Sequence, residues 1–174
     1  MRHVAAFALS ACAALLASAC SSTPPAQATR AVRAITFEAG ACYGFCPDFT
    51  ATIEADGRGS YHGRGFVKAR GEHKFAAEPE RFDALRKRLA PFRPDRSVAY
   101  DGDHCDGPVA TDNPSVKVTW RDADGTSTTL DWYMGCRQPG LADRSDALYH
   151  AWQEVPAIAA LVGPDEERDG YDAS

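Results

Sequence analysis

The chain lacks an excess of positive charge. Its 174 residues carry 19 Lys and Arg against 24 Asp and Glu, a formal net charge of -5. Phosphate backbones are held by clustered Lys and Arg, so no nucleic acid partner is expected. Long apolar runs are missing too. The uncharged stretch Val4 to Leu16 falls short of the about 20 residues that a membrane-spanning helix needs. No G-x-S-x-G, H-E-x-x-H or S-x-x-K motif occurs, and no repeat of fixed period stands out. What remains is a composition of 44% hydrophobic and 25% charged residues, an ordinary globular balance that argues against a collagenous, multi-span or wholly disordered chain.

The N-terminus reads as an export signal. Arg2 supplies a short positive region, Val4 to Leu16 the apolar region, and Ala17-Ser18-Ala19 a small-residue cleavage site. Cys20 follows directly, so Leu16 to Cys20 resembles the lipobox of bacterial lipoproteins, whose cysteine is acylated and becomes the new N-terminus. Ala stands where Leu is usual three residues before that cysteine. Leu9-Ser10-Ala11-Cys12 fits the box letter by letter, but cleavage there leaves an apolar region of only Val4 to Ala11, so Cys20 is preferred. Ser21 after the cysteine implies, in lipoproteins of Gram-negative bacteria, sorting to the outer membrane. The expectation is an exported cell-envelope protein, an outer-membrane lipoprotein facing the periplasm, whose membrane partner is reached through its own lipid.

Four units follow: a signal peptide over 1–19, a lipidated N-terminus and tether over 20–31, a single domain over 32–163, and an acidic, disordered tail over 164–174. The tether, Ser21 to Thr29, is small, polar and Pro-containing, with a reach of roughly 20 Å. Within the domain, Ile35 and Phe37 suggest a short first strand. Phe49, Ala51, Ile53 and Ala55 alternate with polar residues as a half-buried strand does. Asp56-Gly57 predicts a two-residue type I′ hairpin loop, returning through Arg58 to Phe66, and Gly71 to Ala76 suggests a further short strand. Pro79 opens a helix burying Phe82, Leu85 and Leu89, and Pro91 and Pro94 end it. After an irregular stretch from Asp95 to Pro114, Val116, Val118 and Trp120 alternate, and Asp122 to Gly125 turns the chain into a strand with Thr128, Leu130 and Trp132. A second helix from about Asp143 places Leu148, Trp152 and Val155 on one face, with Pro156 kinking it or starting another. This predicts an α+β fold: an antiparallel sheet of about five to six strands, built from two hairpin units, with two helices on one face.

With Cys12 lost with the signal and Cys20 acylated, an even set remains: Cys42, Cys46, Cys105 and Cys136. In an oxidising compartment this reads as a disulfide framework. Gly44 lets the backbone curl between Cys42 and Cys46, and a Cys105–Cys136 bridge would close a loop of about 30 residues. The pairs 42–46 and 105–136 are preferred, although four cysteines allow three connectivities and spacing does not choose among them. A redox role for Cys42 and Cys46 would need a depressed thiol pKa, as at a helix N-terminus, whereas the run Cys42-Tyr43-Gly44-Phe45-Cys46-Pro47 is C-x-x-x-C and precedes a strand. A four-thiolate zinc site lacks knuckle spacing. Asp101 to Gly107 fails the calcium-loop register at Cys105, and G-x-G-x-x-G fails at His62. His62, His73, His104 and His150 are scattered, and Trp120, Trp132 and Trp152 fall on apolar phases as core residues. No catalytic residue, cofactor or metal is expected.

Ala41 to Phe49, followed by Ile53, Asp56-Gly57, Tyr61 and Gly63, resembles the opening of the bacterial domain of unknown function 6438. Thr111-Asp112-Asn113-Pro114, with the strand-turn-strand and helix after it, is similar to that family's second half. Asp48 stands where an apolar residue is usual, and Phe49 where Tyr is. The resemblance implies envelope or secreted proteins, often lipoproteins, without an established activity. The expected function is a non-enzymatic envelope domain with a binding or structural role toward an envelope protein or cell-wall component. The alternative is a periplasmic thiol-disulfide enzyme using Cys42 and Cys46.

Overall fold

The computed structural model describes residues 31–169. The lipidation site expected at Cys20, the signal and nearly all of the tether lie outside the described residues. Seven strands form one sheet: β1 (Val32–Ala39), β2 (Asp48–Glu54), β3 (Arg58–Gly65), β4 (Gly71–Ala76), β5 (Val98–Tyr100), β6 (Ser115–Asp122) and β7 (Ser127–Tyr133). Their spatial order is β4-β3-β2-β1-β6-β7-β5. Three α-helices, α1 (Pro79–Leu89), α2 (Ser145–Tyr149) and α3 (Pro156–Val162), join them with short 3-10 turns. The fold is α+β. No helix among the described residues is long and apolar enough to cross a membrane.

Every neighbouring pair of strands is antiparallel except β5 with β7, which run parallel. The sheet is therefore mixed and has seven strands, a correction to the expected antiparallel sheet of five to six. The extra strand, β5, lies inside the stretch expected to be irregular, where three residues are too few to display a period. Its direction follows from the path of the chain. After β4 at one edge, α1 carries the chain beneath the sheet to the opposite edge, and β5 enters there beside β7.

Alternation builds a one-sided core. Ile35 pairs with Ile53 and Trp120, Phe37 with Ala51 and Val118, and Ala39 with Phe49 and Val116. These side chains are fully or almost fully buried beneath Phe82, Leu85 and Leu89 of α1, Leu148 of α2, and Ile158 and Val162 of α3. Each such residue contributes roughly 1.5–3 kcal/mol by leaving water. The opposite face is polar, with side chains matched across strands. Thr36 and Thr52 hydroxyls meet at 2.9 Å, Thr119 and Thr129 at 3.0 Å, Lys117 reaches Asp131 at 2.8 Å, and Arg121 reaches Glu54 at 2.8 Å.

Four further points differ from expectation or refine it. The first strand is eight residues long rather than short. The β2–β3 connection is not a two-residue type I′ turn: positive φ occurs only at Gly57, at 85°, and Gly57 N–H donates to the Glu54 carbonyl at 2.9 Å. That is the three-residue loop ending in a left-handed residue. The Asp56 side chain stabilises it by accepting from the Arg58 N–H at 3.1 Å. A side chain at Gly57 would collide with the Ala77 carbonyl oxygen, so glycine is required twice over. Of the two outcomes expected at Pro156, the structure shows a new short helix: the second helix is divided into α2 and α3, so the described residues hold three helices rather than two. Pro156 cannot continue a helix but suits its first turn, so α3 starts there and stops where Gly163 turns to φ 77°. Lastly, residues 164–169 are not frayed. Asp169 accepts from the Val67 N–H at 3.0 Å and pairs with Arg70, and Glu167 pairs with Lys68 at 2.6 Å. The domain thus extends past 163, as a strap over the β3–β4 loop.

Candidate binding cleft

The β1–β2 loop is closed on itself by a disulfide between Cys42 and Cys46, whose Cα atoms are 5.6 Å apart. A second disulfide joins Cys105 to Cys136 at a Cα separation of 5.7 Å. The first lifts two aromatic side chains into solvent, Tyr43 at 88% exposure and Phe45 at 53%. Tyr43 N–H donates to the Asp112 carbonyl at 3.2 Å, fixing the loop to the segment before β6.

Beside this loop opens a cleft of about 430 Å³, within the usual range for ligand sites. Four segments distant in sequence make its walls: Phe45, Cys46 and Pro47; Phe66 of the β3–β4 loop; Tyr149, Trp152 and Gln153; and Asp165 with Arg168 from the strap. Phe66 holds φ at 51°, a left-handed conformation that is costly for a bulky residue. Bonds from the three residues after it hold it there. Val67 N–H is tied to Asp169, and the two following N–H groups donate to the Val162 and Leu161 carbonyls at 2.8 and 2.9 Å. So placed, the Phe66 ring meets Phe45 edge to face at 5.7 Å.

Beneath the cleft lies an aromatic pile. Phe49 stacks on Phe37 at 6.2 Å and on Tyr61 at 5.5 Å, and Trp152 meets Phe49 edge-on at 5.7 Å. Trp152 is only 3% exposed, yet its indole Nε1 has no protein partner. The Tyr149 hydroxyl is likewise buried and without a protein partner, as is that of Tyr61. A buried donor left unsatisfied costs about 1–3 kcal/mol, and of these residues Tyr149 and Trp152 both line the cleft. Burial pushes the Tyr149 phenol up to about 12, the nearby Arg168 charge opposing it only weakly. Burial likewise pushes Tyr61 far above the ordinary tyrosine value. Both stay protonated at neutral pH and keep an O–H to donate.

The charges at the walls are spoken for. Arg168 donates to the Gly163 carbonyl at 2.9 Å and pairs with Asp165 at 2.6 Å, and His150 faces Asp146 at 3.0 Å. The other histidines stand apart: His62 meets Glu72 at 2.5 Å on the outer face, His73 the Arg70 carbonyl at 2.9 Å, and His104 Asp101 at 2.9 Å. Asp101 caps its own turn by accepting from the N–H groups of Asp103 and His104, both at 3.0 Å. Among the described residues no group of three or more His, Cys, Asp or Glu could hold a metal ion.

The family model for a domain of unknown function, DUF6438, matches residues 33–156. The chain belongs to this family. No curated protein matches it. The DUF6438 span contains both disulfides, Phe45, Phe66, Tyr149 and Trp152, while Asp165 and Arg168 lie beyond it. Of the cysteines singled out in the sequence, Cys46 lines the cleft and Cys42 closes its loop; Cys105 and Cys136 line no part of it. From the sequence Trp152 reads as core, Phe66 as the end of a strand, and Asp165 and Arg168 as tail, while Tyr149 carries no mark of a site. The signal available was the aromatic density in the first loop, since Tyr43 and Phe45 fit no strand or helix phase.

Proposed function

We propose that this DUF6438 domain is a non-enzymatic binding module of the cell envelope, anchored to a membrane through an acylated Cys20. Its cleft presents the binding site toward the periplasm. The observation that carries the reading is the pair of buried donors, Trp152 Nε1 and the Tyr149 hydroxyl, without protein partners at an aromatic-walled cleft. The placement suits a tethered domain. The chain enters at the start of β1, and seven strand steps, about 23 Å, separate Val32 from Ala39 beside the cleft loop. A lipid attached before β1 leaves the cleft at the far end of that strand. The Cys42–Cys46 bridge holds the Phe45 wall in place. It precedes β2 and opens none of the three helices, so it lacks the dipole that activates thiols in redox pairs.

The test places a photo-crosslinking residue at Gln153, exposed at the cleft, and as a control at Lys74 on the outer face of β4, with the protein in its native envelope. The expected result is a discrete adduct from position 153 alone, identifiable by mass spectrometry as protein or cell-wall fragment. Alkylation of the unreduced protein should leave Cys42 and Cys46 unlabelled. Equal adducts from both positions would count against the cleft. A readily reduced, solvent-reactive 42–46 pair would favour the thiol-disulfide alternative.

A further inference from the structure

Resting on that reading, we infer that the cleft takes a proline-rich polypeptide segment in the polyproline II conformation, with Trp152 Nε1 and the Tyr149 hydroxyl donating to its carbonyl oxygens. The argument starts from what the cleft has in surplus. An indole N–H can only donate, and a phenol held protonated donates readily. Both atoms are buried and lack protein partners. Arg168 and Asp165 are paired with each other, so the walls present no surplus charge to select an ionic ligand. The complement is an uncharged chain with acceptors and few donors. Proline supplies this combination, because each residue keeps its carbonyl and has no N–H. Its rings offer apolar edges to Phe45 and Phe66, and a preformed polyproline helix, with no internal hydrogen bonds, leaves its carbonyls open at low entropic cost.

A glycan fits less well. Sugar hydroxyls bring donors as well as acceptors, and they stack on open aromatic faces. The Trp152 ring is 3% exposed and packs edge-on against Phe49, so it offers no open face. The two donor atoms are closed off from solvent, so a ligand reaches them after side chains at the rim change rotamer, an ordinary adjustment on binding.

The test titrates the intact, disulfide-bonded protein with a ten-residue polyproline peptide and follows the tryptophan indole N–H resonances. Trp152 is expected to shift downfield and saturate. Trp132 should not move, because its Nε1 already donates to the Cys136 carbonyl at 2.9 Å. Trp152→Phe and Tyr149→Phe each remove one donor while keeping a ring, and each should weaken peptide binding about five- to tenfold. Tyr149→Phe is the milder change in packing and serves if the Trp152 variant fails to fold. No Trp152 shift with millimolar peptide, or unchanged affinity in Tyr149→Phe, would overturn the inference. A Trp152 shift with a chitin oligosaccharide but not with the peptide would overturn the ligand class and leave the binding reading standing. Silence toward both, together with no adduct from Gln153, would remove both proposals.

Discussion

Replacing Cys105 and Cys136 together by alanine is expected to destabilise the domain by about 3–4 kcal/mol, whereas removing the Cys42–Cys46 bridge costs roughly 2 kcal/mol. The two bonds differ in how much freedom they deny the unfolded chain. One joins residues 31 apart and the other residues 4 apart, and in the chain-entropy account the penalty lifted from the native state grows with the logarithm of that span. The native side adds to the difference. Cys136 is fully buried, its carbonyl accepts from the Trp132 indole at 2.9 Å, and Val109 forms a β-bridge with it. Urea unfolding of the two double variants against the oxidised parent measures both numbers. The Cys105/Cys136 variant should also show a steeper denaturant dependence, because its unfolded chain exposes more surface. Equal losses from the two bridges would contradict this assignment of roles.

Arg93→Ala is expected to cost about 3–5 kcal/mol, which is large for a residue outside the core. Asp122, at the end of β6, is only 5% exposed. One of its carboxylate oxygens accepts from Arg93 Nη2 at 2.7 Å, and the other has no protein partner. Deleting the guanidinium leaves a buried charge with nothing to neutralise it, and that stranded charge, rather than the net worth of the pair, sets the size of the loss. The double variant Arg93→Met with Asp122→Leu should recover most of the stability, since both charges leave together. Equilibrium unfolding of the single and double variants forms the required cycle. A loss below about 1 kcal/mol in Arg93→Ala would place the pair among ordinary surface ion pairs.

Legibility in the sequence followed the range of each interaction. β2, β6 and β7 were readable because every second residue is apolar and one face of each strand is covered: Phe49, Ala51 and Ile53, then Val116, Val118 and Trp120, then Leu130 and Trp132. α1 was readable from Pro79 at its start and the spacing of Phe82, Leu85 and Leu89. β5 was not, because three residues display no period and its pairing with β7 depends on where α1 delivers the chain. The Asp56-Gly57 pair identified a turn but not its type, since docking of Gly57 against Ala77 holds the loop from outside the hairpin. The strap misled for a related reason. Pro164 to Asp169 reads as an acidic, solvated tail, and the counter-charges of Glu167 and Asp169 come from the Lys68 and Arg70 side chains of a loop about a hundred residues earlier.

By itself, the sequence determined the class of this protein: an α+β fold, its hairpins, its main helix and the residues that fill its core. Those are consequences of periodicity and turn chemistry, which act over a few residues and leave a local signature. The tertiary structure alone decided the cleft. Phe45, Phe66, Trp152 and Arg168 come from four segments, and none carries a local mark of belonging with the others. Burial is likewise a property of the assembled chain. An indole N–H or a phenol becomes a surplus donor only when packing removes water and supplies no acceptor in its place, and no spacing of residues along the chain records that.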